Sequence, residues 1–516
     1  MSRKLLKSTA VIGVMTLLSR ITGLVRDVVF AYIMGSGLVA DAFFVAFRIP
    51  NFFRRIFGEG AFSQAFVPVF AEYREKHSES ETREFTDQMA GRLGAIVLGL
   101  TLAGIVAAPA VVVIIAPGFV DNMEQFALTV DSLRITFPYL LFISLVAMSA
   151  GILNTCGYFA APAATPVLLN MSLIAAALWI VPGVGNAAIG LSLGVLLAGI
   201  AQLGFQVPFL KRVGFLPFPR LRPRNEGVSR VFRLMLPAIF SVSVAQINML
   251  INTLLASFLV TGSISWLYYS DRLMEFPLGV FGIALATVIL PSLSRLHARG
   301  EPEPFSRLMD WSLRWVFLIG VPASVGLIVL AGPMITTLFQ YGATTPDDVR
   351  MMAKSLIAFA VGLLGFVLVK ILAPGFFARQ DTKTPMRIAA AAMVVNIVLS
   401  LLLIMPMAHV GLALAISLAA WVNAALLYLM LRNNEIYSPL TGWGAYFARL
   451  VVASVIMGAV LWWGAGDLDS WIHTDLFHRI LRLSAWIATG AVVYFSVIFI
   501  LGIRPNQLIL SKASIE

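Results

Sequence analysis

Unbroken apolar stretches about as long as a bilayer is thick constrain this chain more than any other feature. Leu93–Ile115, Val167–Ile180 and Ala485–Gly502 carry no charge at all, and Leu140–Leu153 and Met393–Ile404 read the same way. Roughly 20 such residues coiled as helix cross a ~30 Å hydrocarbon core. Only helices and closed β-barrels satisfy their backbone polar groups in lipid, and a barrel needs apolar residues at every second position. These runs are continuous rather than alternating, so the expected fold class is an all-α integral membrane protein. The balance of residues agrees: 12% are charged and 59% hydrophobic, against about 25% charged in ordinary soluble domains.

A net charge of +11 would suggest nucleic acid for a soluble chain. In a membrane protein the simpler source is basic cytoplasmic loops, and no nucleic-acid partner is expected. Cys156 is the single cysteine, and the five histidines are scattered. No intramolecular disulfide, metal centre or cofactor is therefore expected. The basic start, Arg3, Lys4 and Lys7, leads into an apolar run interrupted by Arg20 and Arg26, which reads as a retained first helix rather than a cleaved signal.

Proline, glycine and charge breaks divide the chain into about fourteen spans. They fall near 8–34, 38–72, 86–116, 126–155, 161–181, 186–210, 228–259, 263–296, 306–331, 347–378, 384–406, 409–431, 443–464 and 479–502. Loop charge tests that reading. Arg74, Lys76 and Arg83 follow span 2, Lys211, Arg212, Arg220, Arg222, Arg224 and Arg230 follow span 6, and Arg295 and Arg299 follow span 8. The opposite side carries Asp121 and Glu124, Asp347 and Asp348, then Asp467, Asp469 and Asp475. This is the positive-inside pattern of a multi-pass protein with both termini in the cytoplasm.

The chain also repeats itself. Ala61–Pro68 matches Ala284–Pro291 at an offset of 223, and Pro109 with Gly118 recurs as Pro333 with Gly342 at 224. Ile152-Leu153 followed by Thr165-Pro166 recurs as Ile371-Leu372 followed by Thr384-Pro385 at 219. Two pseudo-symmetric six-helix lobes, 1–225 and 226–436, are expected, followed by two extra transmembrane helices in 437–516. Six is even, so the lobes share an orientation, with the working site expected at their interface.

Eleven ionisable residues fall inside spans: Arg20, Arg26, Asp27, Asp41, Arg48, Arg54, Arg55, Glu59, Asp271, Arg272 and Glu275. Each one facing lipid would cost about 2.5–3.5 kcal/mol. If half did so, the cost would pass ~10 kcal/mol, a whole domain's stability. They must face protein or water. Asp41, Arg48, Arg55 and Glu59 share one helical face, and Asp271 and Glu275 stack four residues apart. Asp27, Asp41, Glu59, Asp271 and Glu275 are explained equally well as ion-pair glue between helices. Six arginines in so few spans are less well explained that way, because the planar guanidinium fork suits bidentate phosphate binding. The expected site is a water-filled cavity lined by Arg20, Arg26, Arg48, Arg54 and Arg272 that accepts an anionic head group. Gln246, Asn248 and Asn252 of span 7 read as interhelical hydrogen-bonding groups, and Trp462, Trp463 and Trp471 as an interfacial aromatic belt.

The same residues carry a family resemblance. Ser19-Arg20-Ile-Thr-Gly23-Leu-Val-Arg26-Asp27, the run from Asp41 through Arg48, Pro50, Arg54, Arg55 and Glu59 to Pro68, Tyr269–Pro277 and Ala373–Pro385 resemble the MurJ (MviN) family of bacterial lipid II flippases. The resemblance covers essentially the whole chain. It implies the fold of the multidrug/oligosaccharidyl-lipid/polysaccharide exporter superfamily, with the two extra helices lining a groove for the undecaprenyl tail. It also implies a place in peptidoglycan synthesis and the bacterial cytoplasmic membrane. The family's cationic cavity maps onto Arg20, Arg26, Arg54 and Arg272, while Asp41 and Arg48 match other family positions. At 48 the family pattern leads one to expect lysine. A sodium site described for some members uses a carboxylate in span 7, which has none here, so it is not carried over.

The resemblance implies alternating access, with lipid II as substrate, membrane lipids as surroundings and no enzymatic step. Arg26/Asp27 and Arg272/Asp271 are candidates for exchanging partners between states, with Arg55, Glu59 and Glu275 beside them. Membrane potential is the expected driving force, at about 2.3 kcal/mol per charge per 100 mV. The coupling ion and protein partners in cell-wall synthesis are unread. Rival readings are an exporter of another lipid-linked oligosaccharide or of drugs in the same superfamily, or a membrane enzyme acting on lipid-linked sugars. A drug exporter would favour carboxylates over arginines, and an enzyme would want a sizeable aqueous loop.

Overall fold

The structure is a computed structural model that describes residues 3–55, 60–221 and 225–503. Glu59, Arg222 and Arg224 lie outside the described residues. Every regular element among the described residues is a helix. Nine of these helical stretches are long and apolar enough to cross a bilayer, and the chain is a multi-pass membrane protein. Its outer faces fit that solvent: Val106, Met405 and Ile500 are among many large apolar side chains left exposed. In water such patches would drive association; hydrocarbon tolerates them.

The first compact unit is Met1–Ser265. It contains α1 (Arg3–Met34), α2 (Leu38–Phe53), α3 (Ala61–Lys76), α4 (Glu79–Val106), α5 (Ala108–Ile115), α6 (Met123–Thr136), α7 (Tyr139–Thr155), α8 (Ala160–Ala175), α9 (Val181–Val184), α10 (Ala187–Arg212) and α11 (Glu226–Ser257). α1 packs on α8, α2 on α6, and α11 on α3. The helix starts are capped by side chains: Ser78 and Glu81 form a reciprocal capping box on α4, and Asn186 and Asn225 accept from the first amides of α10 and α11. Such caps satisfy amides that have no intrahelical acceptor. The core of this unit is an aromatic ladder. Phe62, Phe66 and Phe70 lie one turn apart on α3 with ring centroids 5.2 and 5.6 Å apart, and Phe85 of α4 stacks on Phe66 at 6.0 Å.

The second unit is Trp266–Glu516. α12 (Ser263–Pro277) begins just before its boundary and leads through a wide π-helical turn, Leu278–Gly282, into α13 (Ile283–Ala298). Pro277 has no amide to donate back along α12, and the wider turn accommodates the missing bond. There follow α14 (Pro302–Val329), α15 (Ala331–Phe339), α16 (Pro346–Phe377), α17 (Lys383–Asn433), α18 (Trp443–Ala465), α19 (Leu468–Ile472) and α20 (Leu476–Ile500). As one rod, the 51 residues of α17 would reach about 76 Å, more than twice a hydrocarbon core. The run breaks at Ala408, whose φ of 49° and ψ of −129° are not helical. That break falls between the expected spans 384–406 and 409–431. Gly411 allows the reversal, because a Cβ there would stand 2.3 Å from the Leu403 carbonyl oxygen.

Several expected spans are interrupted rather than continuous. Span 3 becomes α4 and α5, span 4 becomes α6 and α7, and span 8 becomes α12 and α13. Pro109, Pro138 and Pro277 stand at these three joints, where a helix interior cannot tolerate them without losing a hydrogen bond.

The repeat is also visible in backbone geometry. Left-handed Gly157 and Gly185 are each followed 223 residues later by another positive-φ residue, Gln380 and Ala408. The Ile-Leu/Thr-Pro match at 219 is four residues, about one helical turn, out of step with these landmarks.

Candidate functional site

The described intramembrane charges of the first unit lie on α1, on α2 and at Arg54 and Arg55 just after it. These helices meet through Phe30, whose ring stands 5.4 Å from Phe43 and 6.4 Å from Phe44. Arg26 sits over the other side of that contact, 5.4 Å from the Phe30 centroid. It is 6% exposed and its neighbour Asp27 only 2%. The Arg26 Nε and Nη2 groups donate to Asp27 Oδ1 at 3.0 and 2.6 Å, and Nη1 donates to Asn170 Oδ1 at 2.9 Å. Asn170 Nδ2 in turn donates to the Ser19 carbonyl and the Thr22 hydroxyl. One asparagine on α8 therefore fixes both the guanidinium and the turn of α1 beneath it. Sequence reading missed Asn170, although a polar amide inside the uncharged run Val167–Ile180 was a usable signal. Arg20 is half-buried on the same helix, and α1 runs through Gly23 without interruption.

On α2 and just after it, the arginines reach α11. Arg48 Nη1 donates to the Thr253 hydroxyl, and Arg55 Nη1 lies 3.5 Å from Gln246 Oε1. The two donors and the two acceptors are each seven residues apart in opposite order, as two antiparallel helices require. Gln246 thus makes the interhelical contact expected of it. Arg54 Nε donates to Asn51 Oδ1 at 3.1 Å, and Asn51 Nδ2 donates to the Phe47 carbonyl.

Asp41 is differently placed. It is buried, and its carboxylate accepts from the amides of Gly262 and Ser265 at 2.7 and 2.8 Å and from the Ser265 hydroxyl. A carboxylate on the unsatisfied amides of a helix start is a capping contact. The geometry makes Asp41 an anchor for the Gly262–Ser265 turn, so it offers no surface to a substrate. In the second unit, Arg272 Nη1 pairs with Glu275 Oε2 at 2.9 Å and the guanidinium lies 5.0 Å from the Tyr268 ring centroid. Asp271 is half-buried beside it. Arg272 thus has an ion pair with the carboxylate one turn along its own helix.

From position 11 to position 55 the chain includes five guanidiniums, of Arg20, Arg26, Arg48, Arg54 and Arg55, and two carboxylates, of Asp27 and Asp41. One carboxylate is engaged by Arg26 and the other by the turn. The region keeps a positive excess inside a membrane protein, suited to holding an anion by charge-assisted, two-pronged hydrogen bonds. Among the described residues, no group of three or more His, Cys, Asp or Glu side chains is placed to hold a metal ion.

A second set of charges was not singled out in the sequence. Asp310 of α14, fully buried, accepts from Arg314 Nε (2.8 Å), the Tyr437 hydroxyl (2.8 Å), the Leu440 amide (3.1 Å) and the Trp443 indole (2.7 Å). Burial, and then the bond to Asp310, push the Tyr437 hydroxyl far above the usual phenol range, so it remains a donor. The Arg314 guanidinium lies 5.3 Å from the Trp443 ring. Buried Arg479 of α20 donates to the carbonyls of Trp471, Ile472, Thr336 and Gln340, closing the C-terminal ends of α19 and α15. Trp471 departs from expectation. Trp462 and Trp463 are 76% and 82% exposed as belt residues should be, whereas Trp471 is fully buried with its indole donating to the Ala465 carbonyl.

Comparison with known proteins agrees with this architecture. The family model described as "Lipid II flippase MurJ" matches residues 30–481. A Haemophilus influenzae protein described as "Probable lipid II flippase MurJ" is 47% identical over 508 residues, covering 96% of this chain and 99% of that protein. A solved structure titled "Lipid II flippase MurJ, inward closed conformation" superposes with a TM-score of 0.79 at 28% identity, covering 94% of this chain and 97% of that one. An inward-facing multidrug resistance MATE transporter of the MOP superfamily superposes with a TM-score of 0.67 over 81% of this chain and 94% of its own. At 15% identity it shares the fold alone. The chain belongs to the MurJ family of lipid II flippases.

Proposed function

We propose that this protein carries lipid II from the cytoplasmic to the outer leaflet of the bacterial cytoplasmic membrane by alternating access. It acts as a transporter rather than an enzyme, with both termini in the cytoplasm. The observation that carries this reading is the excess of guanidinium groups on α1 and α2 in a chain of this family. Arg20, Arg26, Arg48, Arg54 and Arg272 hold the diphosphate and head group, and Asp27 and Glu275 are the carboxylates whose pairing changes between states. A ligand shifts a conformational equilibrium only by binding the two states unequally. A diphosphate that competes with Asp27 for Arg26, or with Glu275 for Arg272, supplies such a difference. The lobes are 1–225 and 226–436, a division suggested by the sequence repeat and by the 223-residue recurrence of positive-φ residues. The helices of 437–516 line the groove for the lipid tail. Membrane potential drives the cycle, since about 2.3 kcal/mol per charge per 100 mV is enough to bias it.

The test replaces Arg26 and Arg272 singly by Ala and by Lys, in cells depleted of the native protein, and follows lipid II at the outer face. Normal membrane expression with loss of lipid II exposure in all four variants is the expected result. Exposure at the normal rate in the Ala variants would reduce these charges to structural roles.

A further inference from the structure

The first unit holds an apolar cavity of about 280 Å³ walled by α2, α4, α5, α7 and α11 together with Phe137. Every lining residue is apolar; Ile49, Phe52 and Phe53 of α2 form one wall, and Leu100, Val111 and Phe137 face them. Its floor is built for the purpose of close packing: Phe53 and Phe137 have ring centroids 6.4 Å apart. A Cβ on Gly104 would stand 2.2 Å from the Phe137 ring, so a glycine is what lets that ring lie there. An apolar cavity of this kind excludes water, and one of about 150 Å³ already takes up benzene. Next to the cavity, α4 and α5 present Leu102, Val106 and Ile114 outward, each more than half exposed, so its rim is continuous with a lipid-facing surface.

We propose that this cavity takes one acyl chain of a membrane phospholipid, entering sideways from the bilayer, and that the chain packs against Ile49, Phe52 and Phe53 as a filler of the α2 wall. The lining has no polar side chain to hold a head group, which leaves the hydrocarbon chain as the part that enters. The lipid-facing rim makes the surrounding bilayer its source. The consequence reaches the candidate site, because Arg48 on α2 and Arg54 directly after it flank this wall, and a filled cavity limits how far α2 can shift.

The experiment embeds the full-length protein in nanodiscs containing a phospholipid with a diazirine in its acyl chain, irradiates, and maps adducts by mass spectrometry. Adducts on Phe52 or Phe53 and on Phe137, in addition to the outward-facing Leu102, Val106 and Ile114, are expected. The variant Ala103→Phe/Val111→Phe, which narrows the cavity, should lose the inner adducts and keep the outer ones, with an unchanged thermal unfolding midpoint as the check on folding. Labelling confined to the outer residues in the wild type overturns the proposal without need of any variant. Inner labelling that an added polyprenyl diphosphate abolishes also overturns it, because the cavity would then belong to a polyprenyl tail.

Discussion

Two sets of buried charge in this protein are built on opposite plans. At the junction of α14 with the start of α18, Asp310 is surrounded by four donors, and at a separate junction of α15, α19 and α20, Arg479 is surrounded by four carbonyl acceptors. On α1 and α2, guanidiniums outnumber carboxylates, and Asn170, Thr253, Gln246 and Asn51 are among their partners. A saturated charge cannot take a ligand without first breaking its own shell, which costs several kcal/mol in a low-dielectric interior. An arginine held by an amide or a hydroxyl keeps its charge and gives up a weaker bond. Burial alone therefore does not mark a functional charge; the composition of its shell does.

The sharpest way to break this comparison is to remove a saturated charge. Asp310→Ala strands the Arg314 guanidinium, the Tyr437 hydroxyl and the Trp443 indole, and should cost about 3–5 kcal/mol. The thermal unfolding midpoint of the purified protein reads this directly, and a wild-type midpoint would show that the junction is not held by its charges. Arg479→Ala should come next, at about 3 kcal/mol, because it leaves the last carbonyls of α15 and α19 without their donor. Limited proteolysis between α18 and α20 should quicken in that variant, and unchanged cleavage would count against the capping role.

Asn170→Ala probes the boundary between the two plans. It removes one acceptor from Arg26 and two donors to α1, and about 1–2 kcal/mol of stability should go with them. Because Asn170 also aims Arg26, lipid II exposure should fall more than protein abundance does; a parallel fall in both would make it purely structural. Arg48→Ala should have the smallest effect on stability, within about 1 kcal/mol, and yet abolish lipid II exposure. Arg48→Lys should restore exposure, since a cation is kept at that place. If Arg48→Ala unfolds as readily as Asp310→Ala, the two sets of charge are not different in kind.

Spans were legible because length and continuity of apolar residues are local properties. Even the break at Ala408 fell where the expected spans 384–406 and 409–431 parted. The interruptions at α4/α5 and α12/α13 had their prolines in plain view, but a proline marks a joint without saying whether the helix kinks, widens or restarts. The repeat was legible too, although one match was a turn out of step. Partner choice was much less so. Arg26 meets an asparagine 144 residues away, and Asp41 meets a turn more than 220 residues away. The three tryptophans 462, 463 and 471 look alike in sequence and part ways in burial.

The sequence by itself determined that this chain lives in a membrane as helices, that it repeats, and which arginines stand where lipid would reject them. Those conclusions follow from hydropathy and helical period, which need only neighbours along the chain. Only the tertiary structure decided which groups from distant segments each buried charge meets. That choice depends on hydrogen-bond donors and acceptors converging from distant segments, and a buried charge costs or contributes according to the groups packed around it.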